Sequence, residues 1–171
     1  MSAQTTSRFA LPLLHARQAQ KELFHNEAVV GIDTLLHPDV QAVGVDAPPA
    51  TPESGQAWIV GDAPTGDWAG HAGEIACWTD GGWRFATPRT AMDVWAESLA
   101  RRVRYRAGAG WQIGVITASR IEIEGVQVIG PKREAVATPA GGAIVDEQAR
   151  DAIGTILDAL RAHGLIASAE L

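Results

Sequence analysis

Five histidines, one cysteine and several carboxylates are the side chains here that could support acid–base or metal chemistry. His25 has a close acidic neighbour, in the stretch H-N-E, but Cys77 has no cysteine or histidine at metal-ligand spacing. A zinc site needs three or four such ligands at short, defined spacings. We therefore expect neither a metal nor a cofactor.

Catalytic signatures are also missing from the sequence. No serine or cysteine lies in a nucleophile motif such as G-x-S-x-G. Glu122 and Glu124 lie on one face of a predicted strand, where a solvated sheet face is their simplest role. A glycan hydrolase would need two carboxylates about 5–9.5 Å apart across a cleft. We expect a protein that is not an enzyme, and a hydrolase of capsule or peptidoglycan is the least supported alternative.

Arginines alternate with Val103 and Tyr105 in the run R-V-R-Y-R, residues 102–106. On a strand, Arg102, Arg104 and Arg106 would share one face with about 7 Å between neighbours. Such a row suits an acidic glycan. The alternative is an exposed strand that uses charge to prevent unwanted pairing.

Tryptophan is the compositional anomaly, because all six lie between positions 58 and 111. Trp78 and Trp83 flank a glycine turn, which predicts a hairpin with a cross-strand ring pair. The segment Y-R-A-G-A-G-W, residues 105–111, predicts a similar hairpin for Tyr105 and Trp111. We expect most rings to form the core, and one or two of these four aromatic residues near the turns to stack on sugars.

Composition sets the class of protein. The 171 residues are 46% hydrophobic and 20% charged, which is typical of a globular protein. No apolar run approaches the roughly 20 residues of a membrane span, and we expect neither a secretory signal nor membrane insertion. The net charge of −6 argues against nucleic acid as a partner, since phosphate binding needs clustered cations.

The order of patterns predicts an α+β chain in four parts. Residues 1–45 contain an amphipathic helix over 18–37 and read as a helical attachment segment. A proline-rich connector, 46–55, precedes a Trp-rich antiparallel β-meander over 56–116. Alternating residues predict a half-buried β-arm over 117–137. A helical segment follows over 143–171.

The C-terminal helix has clear end signals and an apolar stripe. Asp146 fits the N-cap, and Gly164 fits the left-handed position after the last turn. A short helix with such a stripe is marginal alone in water, and Ile and Leu flanked by Ala are compatible with more than two strands. We expect a homo-oligomer, most simply a trimer, formed through Ile153, Ile156, Leu157 and Leu160.

Three stretches resemble a known family. They are L-P-L-L-H-A-R-Q-A-Q-K-E-L-F-H-N-E-A (11–28), the segment 47–85 that includes G-D-W-A-G-H-A-G-E-I-A-C-W-T-D-G-G-W-R-F, and the closing segment 141–167. The first two resemble a domain of unknown function that recurs in alphaproteobacterial prophages and gene transfer agents. The third resembles the C-terminal helix of fibre and spike proteins from the same particles.

The resemblance implies a virion structural protein, either a head spike or a tail fibre component. Such a protein is assembled in the bacterial cytoplasm, contacts other virion proteins and contributes to host attachment, often through a capsular polysaccharide. The alternative is a purely structural connector without receptor binding. The resemblance implies no catalytic residues.

Overall fold

The computed structural model describes residues 5–14, 21–141 and 146–167. The chain divides into two compact units, with the first ending at Val115 and the second beginning at Ile116. Its content is mixed α and β, with two helices and several antiparallel sheets in the described ranges. None of the helices described is long and apolar enough to cross a membrane.

The first unit contains one helix and eight strands. They are α1 (Lys21–Leu35), β1 (Asp39–Val40), β2 (Val43–Val45), β3 (Ala57–Val60), β4 (Ile75–Thr79), β5 (Gly82–Ala86), β6 (Asp93–Ala96), β7 (Arg101–Arg106) and β8 (Gly110–Ile113). Six of these strands, β3 to β8, lie within residues 56–116, where the sequence predicts β-structure. Of the predicted helix, residues 18–20 lie outside the described ranges.

The strands form two sheets, in the orders β2-β3-β4-β5 and β1-β6-β7-β8. Each contains three consecutive antiparallel strands and one parallel strand added at an edge, because β2 pairs with β3 and β1 with β6. The predicted domain boundary at 46–55 therefore falls inside one unit, and the expected single meander is two sheets. Strands of two and three residues are too short to show a period in the sequence, so β1 and β2 were not predicted.

The two sheets share one hydrophobic core. Ile59, Ile75 and Cys77 from one sheet pack with Val94 and Val103 from the other, and all are buried. Burial raises the pKa of the Cys77 thiol, as expected for a small buried apolar side chain. Trp58, Val60 and Ala76 point to the opposite side of their sheet, where they pack with Trp68 in a second cluster.

Arg8 closes the C-terminal end of α1. Its guanidinium donates hydrogen bonds to the carbonyls of Asp33, Thr34 and Leu36 at 2.7–3.1 Å and to that of His37 at 3.0 Å, and it pairs with Asp39. The last carbonyls of a helix have no partner within the helix, so a cation there is favourable. Arg8 thus fixes the turn from α1 into β1.

Asp33 holds the segment that contains Arg8. Its carboxylate accepts hydrogen bonds from the Thr6 hydroxyl at 2.7 Å and from the backbone N–H groups of Arg8 and Phe9 at 3.0 and 2.9 Å. Asp33 is buried, and three donors satisfy the charge that burial would otherwise penalise. The N-terminal segment and the end of α1 therefore hold each other in place.

The second unit contains a hairpin and a helix, β9 (Ile121–Ile123), β10 (Val126–Ile129) and α2 (Glu147–Ala162). The predicted β-arm is present, with Glu124 and Gly125 at positive φ in its two-residue turn. The prediction that it is half-buried is wrong, because every residue of both strands is exposed. Alternation predicts the strands, but it cannot tell whether the apolar face is covered.

The ends of α2 are as predicted. The Ala149 N–H donates to the Asp146 carboxylate at 2.9 Å, and Gly164 has φ +70°. The Leu165 N–H donates to the Leu160 carbonyl, and that of Gly164 to the Arg161 carbonyl. These are the two hydrogen bonds of a Schellman motif.

We expect Arg8→Gln to lower the free energy of unfolding of the first unit by about 2–4 kcal/mol, because it leaves helix-end carbonyls and Asp39 without their cation. All six tryptophans lie in this unit, so tryptophan fluorescence during urea unfolding measures it. Arg89→Gln is the control, since Arg89 is exposed and its side chain makes no hydrogen bond or ion pair with the described residues. Equal stability of the two variants would contradict the role of Arg8.

Candidate functional site

Four tryptophans form one aromatic cluster. Trp58, Trp68 and Trp83 lie 5.1–6.1 Å apart between ring centroids, and Trp78 lies 5.0 Å from Trp83. Trp68 is fully buried, and Trp58 is 8% exposed. Trp78 and Trp83 pair across the hairpin as predicted and are half-buried. Because the four rings pack against one another edge to face or tilted, the main role of this cluster is to cover the outer face of its sheet.

The second predicted hairpin repeats the arrangement. Tyr105 and Trp111 pair across β7 and β8 with centroids 5.3 Å apart and planes at 67°, close to the 65° of Trp78 and Trp83. The Trp111 indole N–H donates to the Gly73 carbonyl at 2.8 Å. The predicted likeness between the two hairpins is confirmed, although they belong to different sheets.

The arginine row lies on the side of β7 that faces away from the core. Val103 is buried in the core, whereas Arg102, Arg104 and Arg106 alternate with it and are exposed. β7 is not an edge strand, because β6 and β8 pair with both of its edges, so it has no free edge at which charge would prevent unwanted pairing. The sequence could not show this, since the neighbours of a strand depend on tertiary pairing. The structure also separates the arginines from Tyr105, which shares the core-facing side of the strand.

Trp95 is the aromatic residue that lies on the same face of the sheet as the arginine row. It pairs with Arg102 across β6 and β7, and it is 41% exposed, unlike the other tryptophans. Sequence reasoning missed it, although the run D-V-W-A places Asp93 and Trp95 on one face opposite the buried Val94. That signal becomes useful only once β6 is known to pair with β7.

Asp93 and Arg104 make a two-pronged ion pair beside Trp95, with N–O distances of 2.9 and 2.5 Å. The hydrogen bonds from Arg104, with the positive charges of Arg104 and Arg102, hold the pKa of Asp93 below the value of an ordinary aspartate. Arg104 is therefore occupied. Arg102 makes no ion pair with any described residue, so its guanidinium is available to a ligand.

A pocket of about 320 Å³ lies beside Trp95 and Arg102. Its other lining residues are His37, Pro38, Asp93 and Val94. His37 has φ +44°, a conformation that is uncommon for residues other than glycine. The hydrogen bond from Arg8 to the His37 carbonyl helps to hold it. Backbone strain of this kind often occurs at binding sites. The pocket, the row Arg102, Arg104 and Arg106, and Trp95 are together called the Trp95 face below.

The predicted oligomerisation residues differ in exposure. Ile153 and Ile156 are exposed, with 58% of Ile156 accessible, and Leu160 is half-buried. Leu157 is only 6% exposed, so it packs inside the chain and cannot contribute to a surface between copies. The neighbouring segment explains the difference, because Arg161 donates to the Val136 carbonyl at 2.7 Å and Arg150 to that of Pro139 at 3.2 Å. These bonds hold residues 136–139 along one side of α2.

The first unit is thus an α+β module of two packed sheets. The sheet that contains β6 and β7 has a solvent-exposed face with arginine side chains and one tryptophan. The family described as "Protein of unknown function (DUF2793)" matches residues 25–112, just over half of the chain and most of this module. The chain belongs to that family. A search of curated proteins finds no match.

We expect Arg104→Gln to raise the pKa of Asp93 toward the ordinary range, as measured by NMR titration of the Asp93 carboxyl carbon. Because the ion pair lowers the pKa of Asp93, it stabilises the folded state at pH values above the ordinary aspartate pKa. This stabilisation is lost as the pH falls through the pKa that Asp93 has in the folded state. Arg106→Gln is the control, because Arg106 lies opposite Gly110 in the sheet, whereas Arg104 lies opposite Asp93 and makes the ion pair with it. An unchanged Asp93 titration in Arg104→Gln would contradict the ion pair.

Proposed function

We propose that the chain is a virion structural protein, a head spike or tail fibre component of a phage or gene transfer agent. In this proposal it contributes to host attachment by binding an acidic capsular polysaccharide on the Trp95 face. The particle assignment rests on the resemblance of residues 11–28, 47–85 and 141–167. The binding assignment rests on one observation, an exposed tryptophan directly across the sheet from an arginine that makes no ion pair with a described residue.

The chemistry of the Trp95 face suits a negatively charged sugar. An aromatic ring can contact the apolar face of a sugar, while a guanidinium pairs with a carboxylate in a fixed two-pronged geometry. Arg102 and Arg106 are on the same face of β7, with Arg104 between them, so successive acidic groups of one polymer could meet successive cations. Trp78, Trp83, Tyr105 and Trp111, the other proposed carbohydrate contacts, are not on this face.

Assembly with copies of itself and with other virion proteins is the second part of the proposal. Exposed apolar side chains follow one another along α1 at positions 24, 28, 32 and 35, with 77% of Phe24 accessible. Exposed patches of this kind mark interaction surfaces. We assign α1 to contacts with a neighbouring virion protein, and α2 with Ile153 and Ile156 to a homotrimer.

A purely structural connector without receptor binding is the second candidate. The exposed apolar residues of α1 and the four-tryptophan cluster favour it, because both are explained by packing alone. The two candidates differ only at the Trp95 face, which a connector would not require. A glycan-acting hydrolase has no comparable observation in its favour.

We expect polygalacturonate to bind the protein and its fully methyl-esterified form to bind at least about 10-fold more weakly, since esterification removes the carboxylates. Trp95→Ala and Arg102→Gln should each weaken binding about 10-fold or more, and added salt should weaken it further. Isothermal titration calorimetry measures these affinities. Arg101→Gln is the control, because Arg101 lies next to Arg102 on the opposite side of β7.

Two results would overturn the binding proposal. One is binding that is equally strong for both forms of the polymer, because it would show that charge is not recognised. The other is no binding of polygalacturonate or of other acidic capsular polymers, which would support the connector.

We expect the double substitution Ile153→Lys and Ile156→Lys to convert an oligomer into a monomer in light scattering at micromolar concentration, because charge on the stripe opposes its burial. Thr155→Lys is the control, since position 155 lies on the other side of α2. A wild-type protein that is already monomeric would contradict the role assigned to α2.

A further inference from the structure

A second cleft, separate from the Trp95 face, lies between the ends of the two sheets. It has a volume of about 580 Å³ and is formed by β2 and β3 on one side and the β7–β8 hairpin on the other. Two kinds of side chain stand out in its lining, the aromatic pair Tyr105 and Trp111 and the carboxylates Asp46 and Asp62. Its size is that of sites that hold a small ligand.

Tyr105 and Trp111, which form the aromatic wall of the cleft, are held in place by contacts with each other and with the backbone. Tyr105 and Trp111 meet edge to face at 5.3 Å, and the bond from the Trp111 indole to the Gly73 carbonyl at 2.8 Å fixes that ring. Gly110, at φ +70°, begins the strand that carries Trp111, and a Cβ there would meet no atom within 4 Å. The space beside the backbone at Gly110 is therefore open.

Asp46 and Asp62, which form the acidic wall of the cleft, are also held in place. The Asp46 carboxylate accepts a hydrogen bond from the Ala63 N–H at 3.0 Å and lies against Gly61, where a Cβ would come within 2.1 Å of its oxygen. Only glycine at 61 allows this approach. The Gly61 N–H donates to the Val45 carbonyl at 2.8 Å, which anchors the loop that carries Asp62. Both carboxylates thus extend from backbone that is tied to β2.

Charge distinguishes this cleft from the Trp95 face. Among the described residues that line it, Asp46 and Asp62 are the only charged ones, and neither makes an ion pair with a described residue. The cleft is therefore negative, which repels acidic groups and attracts a cation. Aromatic rings add to this preference, because their faces also attract cations.

From this combination we propose that the cleft binds an amino sugar. The aromatic pair contacts the apolar side of the sugar ring, and the carboxylates pair with its ammonium groups. A volume of about 580 Å³ accommodates a disaccharide. This ligand has the opposite charge to the polymer proposed for the Trp95 face, so the inference does not depend on that proposal.

The test compares the β-1,4-linked disaccharide of glucosamine with cellobiose, in which hydroxyl groups replace the ammonium groups. With 5-fluorotryptophan incorporated, each of the six tryptophans gives a ¹⁹F NMR signal that Trp→Phe substitution assigns. At mildly acidic pH we expect the glucosamine disaccharide to shift the Trp111 signal and leave the Trp95 signal unchanged. Cellobiose should bind at least about 10-fold more weakly.

Two variants test the two walls. Asp62→Asn should weaken binding of the glucosamine disaccharide about 10-fold, and Tyr105→Leu should weaken it while keeping an apolar side chain. Asp67→Asn is the control, because Asp67 is an exposed carboxylate in the same loop that does not line the cleft. Tryptophan fluorescence during urea unfolding confirms that each variant is folded.

The proposal is overturned if the glucosamine disaccharide leaves the Trp111 signal unchanged, or if cellobiose binds as strongly. It is also overturned if Asp67→Asn weakens binding as much as Asp62→Asn. Polygalacturonate reports on the other site, since it should shift the Trp95 signal. Failure of one site is therefore visible independently of the other.

Discussion

The structure of the first unit depends on the paired contacts of Arg8 and Asp33. Asp33 binds the backbone around Arg8, and Arg8 in turn binds the carbonyls that end α1. Asp33 alone would be a costly buried charge and Arg8 a partly buried one, whereas together they satisfy polar atoms that the helix end leaves without partners. By fixing His37 and pairing with Asp39, Arg8 also directs the chain into β1, which pairs with the strand that carries Trp95.

A second constraint decides which aromatic rings remain available. The sheet β2-β3-β4-β5 is covered on both sides, by the shared core and by the cluster around Trp68. The other sheet has the core on one side only. Its outer face carries Trp95 and the arginines in contact with solvent, because none of the described residues of the first unit covers it with a second apolar layer. One exposed tryptophan therefore carries more functional information than the four clustered ones.

Local signals in the sequence predicted the local structure well. Both hairpins with aromatic pairs, the caps of α2 and the β-arm followed from turn glycines, alternation and helix-end residues. Long-range pairing could not be predicted, because Arg8 acts on residues 25 to 31 positions away and the parallel partners β1 and β2 are too short to show a period. The arginine row was recognised, but its neighbour Trp95 depends on strand pairing. Burial of Leu157 depends on residues 136–139, which have no regular structure.

Alternation along β7 gives the first unit two surfaces of opposite charge. Residues 102, 104 and 106 place cations on the solvent side, while Val103 enters the core and Tyr105 reaches the cleft with Asp46 and Asp62. A one-residue shift in the pairing of β7 would exchange these sides and bury arginines in the core, which the cost of burying charge forbids. The same register that secures the core therefore keeps the cationic and acidic surfaces apart.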